Sequence, residues 1–579
     1  MIIISGIACQ MPAKGKNQFG MPSRLHEGIG RGRRRPRFVV AAVGFAAAYA
    51  VIGIRLIQLG VASVPETAAV ADRVKPSRPD IVDRNGVLLA TDLKLASLYA
   101  EPRSILDADE VVEKLSTVLP DLPMAETHRR LRTERAFIWL DRHLTPSQQA
   151  MIHALGLPGI GFRPEVARIY PAGNQTSHIL GLTNIDNHGI SGMEKWIDQQ
   201  GLTDLQSAGL GSAGELAPVR LSLDIRVQNV LHQELAKAME TYRAKAAGGV
   251  VLDARTGEIM AMVSLPDFDP LVPAEANERD RLNRIAAGTA EMGSTIKTFT
   301  TAMALEIGGA TLNTLFDASR PLRVGHQSVR DPHSKGRPLS LEEVFRFSSN
   351  VGSAHEALMV GVDAHRDFLR RAGLLDRLRT ELPETAQPIQ PRTWSQATSI
   401  TASFGHGFAT TPLQTAAGIA AVLNGGNLIP PTFLTRSREE ANGLATRIVS
   451  ERTSAAMRFL YRDNAVRGSG RRANIDELRV GGKTGTAEKV VDGRYSRDHN
   501  FNAFAAALPM DDPEYVYLVV VDDPRPERPG MGSTAASNAA PVAGAIIART
   551  ALMLGVRPSF GRVADAEVTA VPAPRLSDR

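Results

Sequence analysis

An uncharged apolar segment, Phe38–Ile54, divides this chain of 579 residues into a short leader and a long body. A basic run, RGRRRPR, comes directly before the segment, and Arg55 follows it. About 20 mostly apolar residues cross a bilayer as a helix, and an arginine near the end of such a helix can reach the headgroups. Because positive charge stays on the cytoplasmic side, the sequence predicts a cytoplasmic tail over 1–37, a single transmembrane anchor over 38–59 and export of the remainder.

The basic residues of the chain are concentrated in this leader. Residues 1–37 contain eight lysines and arginines against one acidic residue, whereas the rest of the chain contains 59 basic and 60 acidic residues. A body without excess positive charge is not expected to bind nucleic acid. The one cysteine, Cys9, excludes a disulfide scaffold and a cysteine-rich zinc module. A cleaved signal peptide is the alternative to an anchor, but LIQLGVASV lacks a small-x-small cleavage site at the end of the apolar segment.

Two changes in composition divide the exported body. Residues 60–77 are small and polar, which is typical of a linker, and a second change near residue 215 precedes longer apolar runs. We therefore predict one domain over 60–215 and a second over 216–555. The Ala-, Pro- and Asp-rich end of the chain predicts a disordered tail over 556–579.

Strand and helix signals in both domains predict an α+β fold. Asn85-Gly86 lies between two apolar runs and predicts a hairpin. In the second domain, LSLD leads into a long amphipathic helix, and GGVVLDARTGEIMAMVS predicts two strands around a turn closed by Gly257. Three further strands are predicted at LRVGGKTGTAEKV, FNAFAAALP and YVYLVVVDD. The last of these is apolar on both faces, so we expect it at the centre of its sheet.

The segment EMGSTIKTFTTAMALE contains a serine and a lysine three residues apart, Ser294 and Lys297. Ser294 is a candidate helix N-cap, and Ile296, Phe299 and Met303 follow at helical spacing. A helix would place the hydroxyl and the amine on one face, one turn apart. A serine hydroxyl is a poor nucleophile, but a lysine kept neutral by burial or by another cation can take its proton. Taken alone, the pair is equally well explained by a capping serine and a surface lysine.

Two later motifs add to this pair. RFSSNVGSAH contains Ser348–Asn350, and GGKTGTAEK contains Lys483–Thr486. Neither motif alone requires an active site. In the order S-x-x-K, S-x-N and K-T-G, however, the three motifs resemble those of penicillin-binding proteins and serine β-lactamases.

The resemblance covers about residues 38–550. RPDIVDRNGVLLA, ARIYPAGNQTSHILGLTN and GISGMEKWID resemble blocks of the pedestal domain of class B penicillin-binding proteins, and SFGHGFATTPLQ resembles the segment before the K-T-G strand. The chain is identified as a member of this class, of the FtsI or penicillin-binding protein 3 type, which cross-links septal peptidoglycan. The resemblance implies a single transmembrane helix, an elongated dimerisation-type pedestal, and a transpeptidase domain with a mainly antiparallel sheet covered by helices. Met292 departs from the family, which often has proline there.

The resemblance also implies roles for the motif residues. Ser294 would attack the carbonyl between the two terminal D-alanines of a stem pentapeptide, with Lys297 as general base. Ser348 would pass the proton to the departing D-alanine. The residues implied in binding the donor peptide and its carboxylate are Asn350, Lys483, Thr484, Gly485 and Thr486. Backbone N–H groups of Ser294 and Thr486 would form the oxyanion hole, and neither a metal nor a cofactor is implied.

The implied partners are donor and acceptor stem peptides, β-lactams, the inner membrane, an FtsW-like glycan polymerase and other division proteins, with the catalytic domain in the periplasm. Two alternatives keep the same fold: an elongation-type class B transpeptidase, and a protein that hydrolyses or senses β-lactams. The compact pedestal favours the septal type. Glu381 and Glu384 lie after the S-x-N motif, roughly where class A β-lactamases have a deacylating glutamate, but they are better explained as polar loop residues. A decayed scaffold is disfavoured by the intact motifs, and an attached glycosyltransferase by the pedestal blocks within 60–215.

Overall fold

The computed structural model describes residues 36–61, 78–201, 217–324, 327–491, 493–530 and 532–560. The chain divides into two compact units, 1–73 and 74–579. The predicted cytoplasmic tail lies outside the described residues as far as residue 35, and so does most of the predicted C-terminal tail, from residue 561 onward.

The first unit contains helix α1 (Pro36–Val61). In the part of the chain that the structure describes, no helix is both long enough and apolar enough to cross a membrane. The anchor over 38–59 therefore stays a prediction.

The second unit contains two sheets with their helices. Up to residue 220 the strands are β1 (Ile81–Val82), β2 (Leu88–Ala100), β3 (Ile138–Leu144), β4 (Ile160–Ile169) and β5 (Val219–Arg220). The helices of this region are α2 (Ala108–Ser116), α3 (Met124–Leu131), α4 (Pro146–Ala154), α5 (Ser177–Leu180) and α6 (Gly192–Gln199).

The remaining helices are α7 (Ile225–Tyr242), α8 (Lys297–Glu306), α9 (Leu341–Phe347), α10 (Asn350–Val360), α11 (Val362–Arg371), α12 (Gln396–Ala402), α13 (Pro412–Leu423), α14 (Arg438–Leu444), α15 (Glu451–Arg467) and α16 (Ala539–Thr550). The longer strands are β6 (Ala246–Asp253), β7 (Ile259–Leu265), β14 (Gly481–Val491), β15 (Arg494–Leu508) and β16 (Tyr515–Asp522). The short strands between them are β8 (Leu315–Phe316), β9 (Leu322–Val324), β10 (Gln327–Val329), β11 (Leu339–Ser340), β12 (Asn427–Leu428) and β13 (Thr446–Arg447).

The sheet of the N-terminal region is organised around the long strand β2. This strand pairs antiparallel with β1, β3 and β4, and β5 joins β1 in parallel. Leu98 of β2 and Ile138 of β3 are buried against Leu115 of α2 and Leu131 of α3. The helices therefore cover one face of this sheet. Side chains alternate between the two faces along each strand, and those of Leu98 and Ile138 lie on the covered face.

The hairpin predicted at Asn85-Gly86 is confirmed, since β1 and β2 pair on either side of it. The Asp83 carboxylate accepts hydrogen bonds of 2.8 Å from the N–H groups of Asn85 and Val87. Gly86 has φ +86°, a left-handed conformation that glycine adopts without steric cost.

A buried ionic network joins the three pedestal blocks that the sequence analysis singled out. The Glu194 carboxylate accepts from Arg78 Nε at 2.9 Å and from Arg168 Nε at 2.7 Å. Arg168 Nη1 also donates to Asp92 at 3.1 Å. Burial of such charges is tolerated only when each is paired and hydrogen-bonded, so these residues fix how the blocks assemble.

The second sheet has the order β14-β15-β16-β6-β7, and all its pairs are antiparallel. Strand β16 is at its centre, as its apolar sequence predicted. Val516 and Leu518 face one hydrophobic core, and Tyr517 and Val519 face another. Helices therefore cover both faces of a mainly antiparallel sheet, which confirms the predicted α+β architecture.

The turn between β6 and β7 is closed by Gly257, as predicted. This residue has φ +75°, and a Cβ placed on it would lie 2.7 Å from the carbonyl oxygen of Pro430. At the C-terminal end, Val556 is buried and the N–H of Ser559 donates to the carbonyl oxygen of Glu477 at 2.7 Å. Packed structure thus continues past residue 555, and the predicted disordered tail lies outside the described residues from 561.

Candidate active site

Ser294 lies in a 3₁₀ turn, Gly293–Ile296, that leads directly into helix α8. The prediction that Ser294 caps the helix is wrong. The backbone N–H of Lys297, which a capping side chain at Ser294 would bind, instead donates to the backbone carbonyls of Ser294 and Thr295. Gly293 has φ +52° and bends the chain into the turn. The Ser294 hydroxyl is left without a hydrogen bond to any described residue.

Lys297, the first residue of α8, is completely buried. Its ammonium donates to the carbonyl oxygen of Ser348 at 2.6 Å, to Ser348 Oγ at 3.2 Å and to Asn350 Oδ1 at 2.7 Å. Burial lowers the pKa of Lys297 to about 7, although the negative charges of Asp331 and Glu356 oppose that shift. The structure thus brings the first two motifs together around an amine that titrates near neutral pH.

Ser348 lies at the end of helix α9 in the left-handed region, with φ +55°. Few residues other than glycine adopt this conformation, which costs about 1–3 kcal/mol and is held only where surrounding contacts enforce it. Here the strain directs the hydroxyl between two amines, since Ser348 Oγ lies 3.2 Å from Lys297 Nζ and 3.0 Å from Lys483 Nζ.

Asp331 holds the N-terminus of helix α10, where the second motif lies. Its carboxylate accepts from the Ser349 hydroxyl at 2.6 Å and from the N–H groups of Asn350 and Val351 at 2.5 and 3.0 Å. A carboxylate at a helix N-terminus is favoured by the unpaired N–H groups and the helix dipole. Asp331 therefore fixes Asn350 beside Lys297. The sequence does not mark Asp331, because it lies in a loop outside the motif.

Lys483, on strand β14, is the second completely buried amine of the site. Besides Ser348 Oγ, its ammonium donates to the carbonyl oxygen of Thr484 at 3.1 Å. Burial and the charge of Lys297 lower the pKa of Lys483 well below its ordinary value. Among the described residues, neither Lys297 nor Lys483 forms an ion pair with a carboxylate.

The K-T-G strand packs against the nucleophile turn through Gly485. A Cβ at this position would lie 2.5 Å from the carbonyl oxygen of Met292, so only glycine allows the approach. The hydroxyl of Thr484 is 2.6 Å from Ser469 Oγ, and the side chain is almost buried. Thr486 Oγ1 accepts from the N–H of Ala535 at 3.1 Å, which leaves the hydroxyl hydrogen free to donate.

Two family models match the chain. The model of the penicillin-binding protein transpeptidase domain matches residues 247–548, more than half of the chain, and the model of the penicillin-binding protein dimerisation domain matches residues 73–202. This chain belongs to the class B penicillin-binding proteins. The membership predicted from the three motifs and the pedestal blocks is confirmed.

Relatives of this penicillin-binding protein match it over most of its length. The probable peptidoglycan D,D-transpeptidase FtsI of Caulobacter vibrioides is 39% identical over 501 residues, which cover 84% of this chain and 83% of that protein. The peptidoglycan D,D-transpeptidase FtsI of Escherichia coli is 30% identical over 515 residues, which cover 84% and 85%. A crystal structure of penicillin-binding protein 3 from Mycobacterium tuberculosis, complexed with aztreonam, has a TM-score of 0.63 at 24% identity and covers 84% of this chain and 98% of that chain. That likeness shows the shared fold.

A carboxylate next to the nucleophile turn joins three segments of this penicillin-binding protein. The Glu291 oxygens lie 2.9 Å from His406 Nδ1 and accept from the Gly407 N–H at 2.8 Å and the Tyr495 hydroxyl at 2.9 Å. Burial alone would raise the pKa of Glu291, but these hydrogen bonds and the charge of His406 outweigh burial and lower it. His406 is a loop residue, as predicted. Neither Glu291 nor Tyr495 was identified from the sequence, because no motif includes them.

The two glutamates considered for β-lactam hydrolysis both form hydrogen bonds outside the motif residues. Glu381 accepts from the Thr432 hydroxyl at 2.6 Å and from the Phe433 N–H at 2.9 Å. Glu384 accepts from the N–H of Gly192, in the pedestal, at 3.1 Å. Within the described residues, neither carboxylate contacts the motif residues through a hydrogen bond, so both fit the explanation that they stabilise a polar loop.

Proposed function

We propose that this penicillin-binding protein is a peptidoglycan D,D-transpeptidase that cross-links stem peptides through an acyl-enzyme on Ser294. The observation that carries the proposal is the Ser348 hydroxyl held between the buried amines of Lys297 and Lys483, next to the turn that presents Ser294. The named activity of the FtsI relatives supports the same reaction.

Acylation begins with proton transfer from Ser294 to Lys297. Because the pKa of Lys297 is lowered by burial to about 7, a large fraction of the amine is neutral at neutral pH and can accept the proton. The Ser294 oxygen then forms an ester with the carbonyl of the penultimate D-alanine, and the C–N bond to the terminal D-alanine breaks. Ser348 is placed to deliver a proton from the lysine pair to the departing amine. Backbone N–H groups of Ser294 and Thr486 stabilise the oxyanion, a contribution of about 3 kcal/mol per donor in comparable sites.

The terminal carboxylate of the donor binds beside the K-T-G strand. An approaching anion favours the charged form of Lys483 against the burial that disfavours it, so carboxylate binding and protonation of this amine are coupled. The free hydroxyl hydrogen of Thr486 provides a second donor, while Thr484 holds the strand through Ser469. Asn350 holds Lys297 and orients the donor amide.

The amine of a neighbouring stem peptide then takes the acyl group from Ser294. A β-lactam acylates the same serine but leaves no small product to depart, so the acyl-enzyme persists. The engagement of Glu381 and Glu384 in structural hydrogen bonds supports slow hydrolysis.

A single experiment tests this chemistry. The full-length chain is labelled with a fluorescent penicillin, the free label is removed, and decay of the covalent adduct is followed. We expect one label on Ser294 and decay over hours. Turnover within seconds, slowed by Glu381→Gln or Glu384→Gln, would instead assign the chain to β-lactam hydrolysis.

We also propose that the enzyme is anchored in the inner membrane with its catalytic domain in the periplasm. The uncharged apolar run Phe38–Ile54 and the basic run before it support this, as does the exposure of described apolar side chains in this segment, including Val43, Phe45 and Tyr49. An alkaline phosphatase fusion after residue 579 should be active. Activity of a cytoplasmic reporter at that point would contradict the topology.

Septal wall synthesis is the cell-wall process proposed for this enzyme. The compact pedestal and the FtsI relatives support it, and a small-residue face of the anchor at Gly44 and Ala48 could pack against an FtsW-like polymerase. Depletion should block constriction while mass growth continues, and a fluorescent fusion should gather at mid-cell. Rounded, still-dividing cells with dispersed fluorescence would assign the enzyme to elongation instead.

A further inference from the structure

A completely buried carboxylate lies behind the proposed general base. Glu356, on helix α10, is fully shielded from solvent. The Thr301 hydroxyl donates to its two oxygens at 3.0 and 3.3 Å, and among the described residues this is the one hydrogen bond of the carboxylate. Thr301 lies one turn after Lys297 on helix α8, so Glu356 sits against the same helix face as the lysine. No step of the reaction outlined above uses Glu356.

An ionised carboxylate with a single hydrogen bond is poorly stabilised in a protein interior. Burial accordingly raises the pKa of Glu356 to about 8, although the Thr301 hydrogen bond and the charge of Lys297 oppose that shift. The pKa of Lys297 is lowered by burial to about 7, with the charge of Glu356 acting in the opposite direction. Glu356 and Lys297 therefore gain and lose protons over the same pH range, and their titrations are coupled.

Titratable groups on the elements around Glu356 include His355 on α10 itself, Glu306 on α8, Asp363 and His365 on α11, and Glu342, Glu343 and Arg346 on α9, besides Asp331 and Lys483 of the site. Several of them are held by partners of their own. Asp331 caps helix α10, Glu342 and Arg346 pair with each other, and Glu343 pairs with Arg337. His365 Nδ1 lies 2.7 Å from Ser399 Oγ, and burial lowers its pKa to about 4, so it is neutral near pH 7. Besides the Thr301 hydrogen bond, the charge of Lys297 is what lowers the pKa of Glu356 against burial.

We propose that Glu356 is a positioning residue for the transpeptidase reaction. From the buried contact between helices α8 and α10, its carboxylate determines how readily Lys297 accepts the proton of Ser294. When Glu356 is ionised, its charge holds the proton on Lys297 up to a higher pH, so a smaller fraction of the amine is free to accept the proton of Ser294. When Glu356 is protonated, Lys297 gives up its proton more readily and can act as the base. The inference rests on the proposed role of Lys297.

The test is the pH profile of acylation by a fluorescent penicillin, measured on the full-length chain from pH 5.5 to 9 and expressed relative to each variant's own plateau. The wild-type profile should rise broadly, over two ionisations. Glu356→Gln cannot ionise, so its profile should rise over one ionisation with a midpoint about one pH unit lower, the size of effect that one nearby charge produces. Below the midpoint, relative acylation should be up to about tenfold faster than in the wild type.

Two further variants make the result specific. Glu306→Gln is the matched control, because Glu306 lies at the other end of α8 and binds Ser450. Its profile should not move. Thr301→Val removes the hydrogen bond that favours the ionised carboxylate, so its profile should shift in the same direction as that of Glu356→Gln but by less.

The outcomes separate this inference from the proposed function. If Glu356→Gln melts cooperatively and its profile superimposes on the wild-type profile, Glu356 has no such role, and the reaction at Ser294 stands. If Glu356→Gln does not fold, Thr301→Val decides, and an unshifted profile overturns the inference. If Lys297→Ala acylates at the wild-type rate, the proposed base itself is wrong.

Discussion

At Gly485, the addition of a single methyl group should slow catalysis while the protein stays folded. A Cβ there would lie 2.5 Å from the carbonyl oxygen of Met292, 2.8 Å from Thr295 Cγ2 and 3.0 Å from the backbone nitrogen of Thr295. Two of these three atoms belong to the backbone and cannot rotate away. Gly485→Ala must therefore push strand β14 and the nucleophile turn apart by about 1 Å to restore ordinary contact distances.

The size of the effect follows from that displacement. A misplacement of about 1 Å costs on the order of 100-fold in rate, because the reacting atoms no longer meet at the required geometry. Overpacking of this kind destabilises a protein by about 1–3 kcal/mol, which a domain of this size tolerates. We therefore expect Gly485→Ala to remain folded and to be acylated about 100 times more slowly.

The measurement is the second-order rate constant for covalent labelling by a fluorescent penicillin, with thermal unfolding followed in parallel. Gly443→Ala is the matched control, because no heavy atom lies within 4 Å of a Cβ at that exposed helix position. It should label at the wild-type rate and be slightly more stable. Labelling of Gly485→Ala within threefold of the wild-type rate would refute the argument that this contact positions Ser294.

Three other predictions follow from the contacts described. Ser294→Ala should abolish labelling but change the free energy of unfolding by less than about 0.5 kcal/mol, since its hydroxyl bonds to no described residue; persistent labelling would identify a different nucleophile. Glu291→Gln should destabilise the protein by about 1–3 kcal/mol at pH 7 in urea titrations. The pKa of Glu291 is lower in the folded than in the unfolded protein, so its contribution to the free energy of unfolding is present at pH values above the unfolded-state pKa and is lost as the pH falls. The difference in stability between Glu291→Gln and the wild type should therefore shrink toward pH 4. An equal difference at both pH values would contradict this. Arg168→Ala should cost about 3–5 kcal/mol by leaving Glu194 incompletely paired, whereas the exposed Arg163→Ala control should cost less than about 1 kcal/mol.

The sequence alone was sufficient wherever local chemistry determines local structure. Asn85-Gly86 and Gly257 predicted their turns because few residues other than glycine adopt φ values near +80° without strain. The apolar run of β16 predicted a central strand because both of its faces must be buried. The order of three short motifs indicated a penicillin-binding protein or a serine β-lactamase, and the pedestal blocks indicated the class. Neither signal depends on knowing how the segments assemble.

The structure corrected the sequence analysis where backbone geometry decided between two local possibilities. Ser294 has the residue type and position of a helix cap, but the chain enters α8 through a 3₁₀ turn whose own carbonyls use the N–H group that the side chain would have bound. That choice depends on Gly293 fitting against Thr486 of a strand far along the chain. A contact of this kind leaves no signal in the local sequence.

What the sequence determined by itself was the set of reactive side chains; what only the tertiary structure decided was their protonation. Lys297 and Lys483 are ordinary lysines in the sequence, and their amines become weakly basic only because the fold buries both beside one serine hydroxyl. Asp331, Glu291 and Glu356 are not part of the three motifs, although Glu356 lies on the helix that begins with the second motif and Glu291 lies three residues before Ser294. The physical reason is that desolvation and charge–charge energies depend on distances across the folded chain, and those distances exist only once the helices have packed against the sheet.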